Sequence, residues 1–244
     1  LLARGIDLLI LNPLDPKALV LSTKAATRAD VPVIIIDSSI DPEADFITTI
    51  QSNNLRNGEL VGEWLVKQMG GKKIKACVLS GAQGNPVGKE RRQGVFRGII
   101  EQQLRNYGET RFDLLMQGWG NWTYEGGLTA MEDMIVANPE INVLISEQDA
   151  MALGAYQAIK EAGRKDDIMI VSAADGQKEA FEMIQKGEYG ATGLNDPVLI
   201  AKRAVDIAVR VLSGETDFPQ VIYTPAACIS AENVDEYYDP NSIF

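Results

Sequence analysis

Six residues of this 244-residue chain have types that could jointly recognise a small molecule: Asp37, Arg91, Trp122, Gln148, Asp175 and Asn195. Arginine offers a fork of N–H donors, the aspartates accept, the Gln and Asn amides do both, and an indole presents a flat apolar face. That combination suits a neutral, polyhydroxylated ligand. It does not suit most catalysis, because the chain contains no histidine. Ser-His-Asp triads, imidazole acid–base chemistry and most imidazole metal sites are thereby excluded. No catalytic residue, metal site or cofactor is expected.

These positions matter because of the elements that hold them. Strand-length apolar runs alternate with helix-length amphipathic stretches along nearly the whole chain, which predicts an α/β fold built on parallel sheets. Strands are expected at Asp7 to Leu11, Val31 to Ile36, Ile47 to Ile50, Ala76 to Leu79, Phe112 to Met116, Val143 to Ser146, Ile168 to Ser172 and Gly190 to Gly193. Short ones follow near Val221 and Cys228. Helices are expected at Asp15 to Ala29, around Leu60 to Leu65, and at Lys89 to Gln103, Tyr124 to Ala137, Ala150 to Ala162, after Gln177, and Val198 to Leu212. About ten strands reach the usual limit of one twisted open sheet, so two sheets are expected. The polar string Gln51-Ser52-Asn53-Asn54 reads as a crossing between two lobes.

In open parallel sheets, ligands bind outside the carboxyl ends of the strands. That rule selects Asn12, Asp37-Ser38, Ser80, Trp119 to Trp122, Glu147-Gln148-Asp149, Asp175 and Asn195, with Arg91 near the start of the helix after Ser80. Position alone also allows plainer readings. Asn12 before Pro13 reads as a turn former, and Asp149 as the cap of a helix starting at Ala150. The glycine-rich loop Gly81 to Gly88 fails as a Walker A loop, since Gln83 stands where Gly is required and Glu90 where Ser or Thr should bind magnesium. Its glycines are expected to shape a loop instead.

Composition narrows the partners. Lys and Arg number 23 against 34 Asp and Glu, a net charge of −11, which repels nucleic acid and anionic membrane surfaces. Cys77 and Cys228 are too few and too far apart for a disulfide scaffold or a metal clip. No apolar run approaches the roughly 20 residues of a membrane span.

Four strings, in order and spacing, resemble the ribose-binding-protein-like branch of bacterial periplasmic sugar-binding proteins. They are Gly5-Ile6-Asp7 leading to Asn12-Pro13, Val31-Pro32-Val33 leading to Ile36-Asp37, Arg91-Arg92-Gln93-Gly94, and Glu147 through Ala155. The resemblance implies two doubly wound lobes, joined by a multi-crossing hinge, that close on a monosaccharide and deliver it to an ABC transporter. By position it implies that Asp37 and Asp175 accept from sugar hydroxyls, Arg91 donates, Trp122 packs on the sugar face, and Asn195 supplies a polar amide. Gln148 stands where Asn is common, and Ser38 where ribose binders carry Arg.

The expected division is residues 1–52 plus 196–223 for the first lobe and 53–195 plus 224–244 for the second. The expected ligand is a sugar or polyol held between the lobes. The permease of an ABC transporter and a chemoreceptor are the expected partners, in the periplasm or at a lipid anchor outside the cytoplasmic membrane. Two alternatives stay open: the effector domain of a sugar-responsive transcription regulator, and an α/β enzyme acting through Asp37 and Asp175. The opening Leu1 to Arg4 reads as the end of a helix, and a preceding segment with a further strand and helix, on the order of 50 residues, is expected.

Overall fold

Strands covered by helices on both faces need apolar side chains at consecutive positions, and residues 33–36 and 143–145 are such runs. In the computed structural model, which describes residues 1–244, the elements follow in chain order. They are β1 (Leu9–Leu11), α1 (Val20–Arg28), β2 (Val33–Ile36), β3 (Thr48–Ser52), α2 (Asn54–Met69), β4 (Ile74–Ser80), α3 (Pro86–Tyr107), β5 (Phe112–Trp119), α4 (Tyr124–Ala137), β6 (Val143–Ser146), α5 (Asp149–Glu161), β7 (Met169–Asp175), α6 (Lys178–Gln185), β8 (Ala191–Leu194), α7 (Pro197–Leu212), β9 (Val221–Thr224) and β10 (Cys228–Ser230). The chain forms two compact units, residues 1–53 with 196–225, and residues 54–195 with 226–244. No helix is long and apolar enough to cross a membrane.

The first unit holds a four-stranded parallel sheet in the order β1-β2-β3-β9. Alternate residues of β2 face opposite sides: Val33 and Ile35 pack with Ala26 of α1, and Ile34 packs with Ile50 and with Ile200, Ala204 and Ile207 of α7.

The second unit holds six strands in the order β10-β8-β7-β6-β4-β5, parallel except for β10. Here too the pleat sorts the core. Ile74, Ala76 and Val78 of β4 join Val61 and Leu65 of α2 and Val95 and Ile99 of α3, whereas Cys77 and Leu79 join Met131 of α4 and Met151 of α5. Each fully buried Leu or Ile contributes about 1.5–3 kcal/mol. The connection from β4 runs outward to β5, and the next returns past β4 to β6. The strand order therefore reverses at the β4–β6 pair, where an open α/β sheet leaves its ligand crevice.

Two helices are locked together by glycine. Gly58 and Gly62 of α2 face Gly94 and Gly98 of α3, and a Cβ at Gly94 would lie 2.2 Å from the carbonyl oxygen of Leu55. The paired GxxxG spacing brings backbone against backbone.

Several expected boundaries move. The helix expected from Asp15 begins only at Val20, because Asp15 Oδ1 accepts from the Lys17 N–H at 2.7 Å and holds a turn there. The first strand is confined to Leu9–Leu11. The helix expected from Lys89 starts at Pro86, where Asn85 caps it by accepting from the Gly88 N–H at 3.2 Å. Gln51 and Ser52, expected in a crossing, continue β3 and pair with Tyr223 and Thr224. Trp119, expected beyond a strand end, is the last residue of β5.

Candidate functional site

At the β4–β6 reversal the carboxyl-end loops of the second unit converge on one buried guanidinium. Arg91, in the second turn of α3, is 5% exposed. Its Nε donates to Asn54 Oδ1 at 3.0 Å, Nη1 to the Glu147 carbonyl at 3.1 Å, and Nη2 pairs with Asp175 Oδ1 at 2.9 Å. The glycine contact between α2 and α3 makes the first of these possible, since Asn54 opens α2. Asn195, just past β8, donates through Nδ2 to the same Asp175 Oδ1 at 3.1 Å. Both donors therefore end on one oxygen of Asp175. Three of the five N–H donors of Arg91 are used. Its neighbour Glu90 has its carboxyl raised, chiefly by burial and against opposing help from Asn54 and Arg91.

Trp122 lies beside this pair, with the Arg91 guanidinium carbon 6.0 Å from its ring centroid. Asn121 and Trp122 both have positive φ, 50° and 63°. For Trp this is a rare conformation that persists only where its surroundings enforce it. The indole packs against Gly81, where any Cβ would sit 2.1 Å from the ring. The glycines of the Gly81 to Gly88 loop thus admit a ring and a carboxylate: a Cβ at Gly88 would lie 2.3 Å from Glu147 Oε2.

Glu147, fully buried, ties the loops together. Its Oε1 accepts from Ser80 Oγ at 2.7 Å and pairs with Arg92, and its Oε2 accepts from the Gly81 N–H at 2.8 Å. Gln148 is the N-cap residue of α5 and makes no side-chain cap; its Oε1 is buried without a hydrogen-bond partner. Asp149, expected to cap that helix, lies within its first turn, and its wholly buried side chain points away from the helix N-terminus to the β7–α6 loop. Burial and the nearby Asp175 charge raise its carboxyl, against several hydrogen bonds.

Asp37 belongs to the first unit, one residue beyond β2, with φ 63°. Asp tolerates this left-handed geometry better than most residues. Its N–H donates to the Ile50 carbonyl at 2.8 Å, and its Oδ2 accepts from Asn12 Nδ2 at 3.3 Å. Asn12, expected only to form a turn, therefore reaches Asp37.

Five of the six expected residues thus lie in the second unit, and Arg91, Trp122, Asp175 and Asn195 are brought into one cluster. The strand-end rule did not select Asn54 or Arg92. Arg92 stands inside a string already singled out, and Asn54 announces itself through the GxxxG spacings that press its helix onto that of Arg91. No group of three or more Cys, Asp or Glu is placed to hold a metal ion.

Comparison with known proteins places the fold. Residues 1–216 match the model of the periplasmic binding protein domain. The ribose import binding protein of Bacillus subtilis is 31% identical over 215 residues, 88% of this chain and 66% of its own length. The galactofuranose-binding protein of Escherichia coli is 30% identical over 196 residues, 78% of this chain and 59% of its own. Among solved structures, the arabinose transporter binding protein of Shewanella sp. ANA-3, bound to arabinofuranose, superposes with a TM-score of 0.86 at 30% identity, covering 97% of this chain and 77% of that one. The chain spans about two thirds of the B. subtilis protein's length. It belongs to the periplasmic binding protein family, in its ribose-binding-protein-like branch of sugar-binding proteins.

Proposed function

We propose that the chain binds a monosaccharide or related polyol, without turnover, and hands it to the membrane permease of an ABC transporter in the periplasm. A chemoreceptor is a further partner of the loaded form. The observation that carries this reading is the buried Arg91–Asp175–Asn195 cluster beside Trp122. Asp175 Oδ2 and the remaining Arg91 N–H groups form an acceptor next to donors, the pattern that vicinal hydroxyls complement. Trp122 covers the apolar C–H face of a sugar, and Gln148 Oε1 accepts a hydrogen bond from a hydroxyl; Asp37 is the first unit's own acceptor for a sugar hydroxyl. The names of the relatives, which bind ribose, galactofuranose and arabinofuranose, support the ligand class.

A thermal-shift panel of D-ribose, D-allose, L-arabinose, D-galactose and myo-inositol tests the reading. A ligand at about 100 times its Kd stabilises the native state by about 2.7 kcal/mol, a melting shift of roughly 5–10 °C for a chain of this size. At least one sugar should give such a shift and be recovered unchanged by chromatography. A flat panel rejects the ligand class, and a converted sugar rejects the absence of turnover.

A further inference from the structure

The loop that carries Asp175 is held by a carboxylate that no ligand can reach. Asp149 is 0% exposed, yet five groups donate hydrogen bonds to it. Its Oδ2 accepts from three successive backbone amides, Asp175 at 3.0 Å, Gly176 at 2.7 Å and Gln177 at 3.0 Å. Its Oδ1 accepts from Tyr189 OH at 2.8 Å and Thr192 Oγ1 at 2.9 Å. The groups come from the β7–α6 loop and from β8 and its approach, so one side chain of α5 ties together the segments that place Asp175 and Asn195.

Resting on the sugar-binding reading above, we propose that Asp149 is a positioning residue: it fixes the Asp175–Gln177 loop so that Asp175 meets Arg91 and the sugar in a single orientation. Burying a carboxylate is costly unless it is fully hydrogen-bonded, and here all five facing groups donate. Charge-assisted bonds of this kind are about twice as strong as neutral ones. Three amides aimed at one oxygen also set the peptide planes of the loop, and with them the direction in which the Asp175 side chain leaves the backbone. Replacing Asp149 by Asn keeps the shape but turns an NH2 group toward a set of donors. That group faces either the three amides, which then lose their acceptor, or the Tyr189 and Thr192 hydroxyls, which must turn to accept from it. Either way the charge that strengthens the amide bonds is gone, and the loop loses its unique seat.

The test uses the 244-residue chain and whichever of D-ribose, D-allose, L-arabinose, D-galactose and myo-inositol it binds most tightly. By titration calorimetry, Asp149→Asn should weaken binding by about ten-fold or more. In an Asp175→Asn background the same change should cost less than about three-fold, since residues acting through one another are non-additive. Tyr189→Phe, which removes one donor and keeps the carboxylate, should give a smaller loss of the same kind and serves if Asp149→Asn fails to fold. Without ligand, the amide protons of Asp175, Gly176 and Gln177 should exchange with solvent at least about ten-fold faster in either variant, while core amides of β6 are unchanged. Parental affinity in both variants, an equal loss in the two backgrounds, or unaltered amide exchange overturns the inference. If the unaltered chain binds none of the sugars while those amides exchange faster in the variants, the sugar reading is what has failed, and the inferred role toward the ligand falls with it.

Discussion

The polar residues of the two units are held in different ways. In the second unit Arg91, Glu147, Asp149 and Asp175 are buried, and each side chain has at least two partners. In the first unit Asp37 is only partly buried, and its side chain meets the exposed Asn12 at 3.3 Å. A buried ion pair is expensive to break from one side, whereas a partly solvated carboxylate replaces a lost partner with water. The second unit's set is therefore built into the fold, whereas Asp37 is held by little more than its own backbone and Asn12.

Arg91→Met is the strongest test of that contrast. It leaves Asp175 buried without its cation and should lower stability by about 3–5 kcal/mol, read as a shift of the urea midpoint, while abolishing measurable sugar binding. A midpoint within about 0.5 kcal/mol of the parent would show that the pair is not built into the fold. Asp37→Asn is the counterpart in the first unit. Asn also tolerates positive φ, so the midpoint should stay within about 0.5 kcal/mol while affinity falls by about one to two decades. An equal loss of stability in both variants would erase the contrast.

A smaller effect reports on the second unit alone, because both cysteines lie in it. Burial pushes the Cys77 thiol up to about 11 and, with a lesser contribution from Glu232, the Cys228 thiol up to about 12. Both thus stay protonated and slow to react while folded. The unfolded chain releases these protons first, from its usual value of 9.0. The thiols' contribution to stability is accordingly complete below pH 9.0 and is lost as pH rises through about 11 and 12. Labelling with a thiol reagent at pH 8 should be slow in the parent and in Asp37→Asn and faster in Arg91→Met. Fast labelling of Cys77 in the parent would contradict the burial of that thiol.

The alternation of apolar runs and amphipathic stretches was enough to read the α/β class, because strands buried on both faces and helices with one apolar stripe leave distinct periodicities, and the number of strands pointed to two sheets. Boundaries were less legible where a local polar contact decides them, as with the Asp15–Lys17 turn that delays α1. At the candidate site, strand ends mark where side chains gather but not which of them meet. Arg91 reaches Asn54, Glu147 and Asp175 across 37, 56 and 84 residues of sequence, separations that leave no local signal. Asp149 shows the same limit: beside a helix start an acidic residue reads as a cap, and only the fold reveals that its carboxylate serves a loop 26 residues away.

Titration of the unaltered chain and of Asp175→Ala with the sugar panel tests the central claim most directly. The account predicts saturable binding of at least one sugar by the parent and a loss of about one to two decades in the variant, as expected when partner donors are left unpaired, with far-UV circular dichroism unchanged. Saturable binding of equal strength by both proteins, or none by the parent, would contradict it.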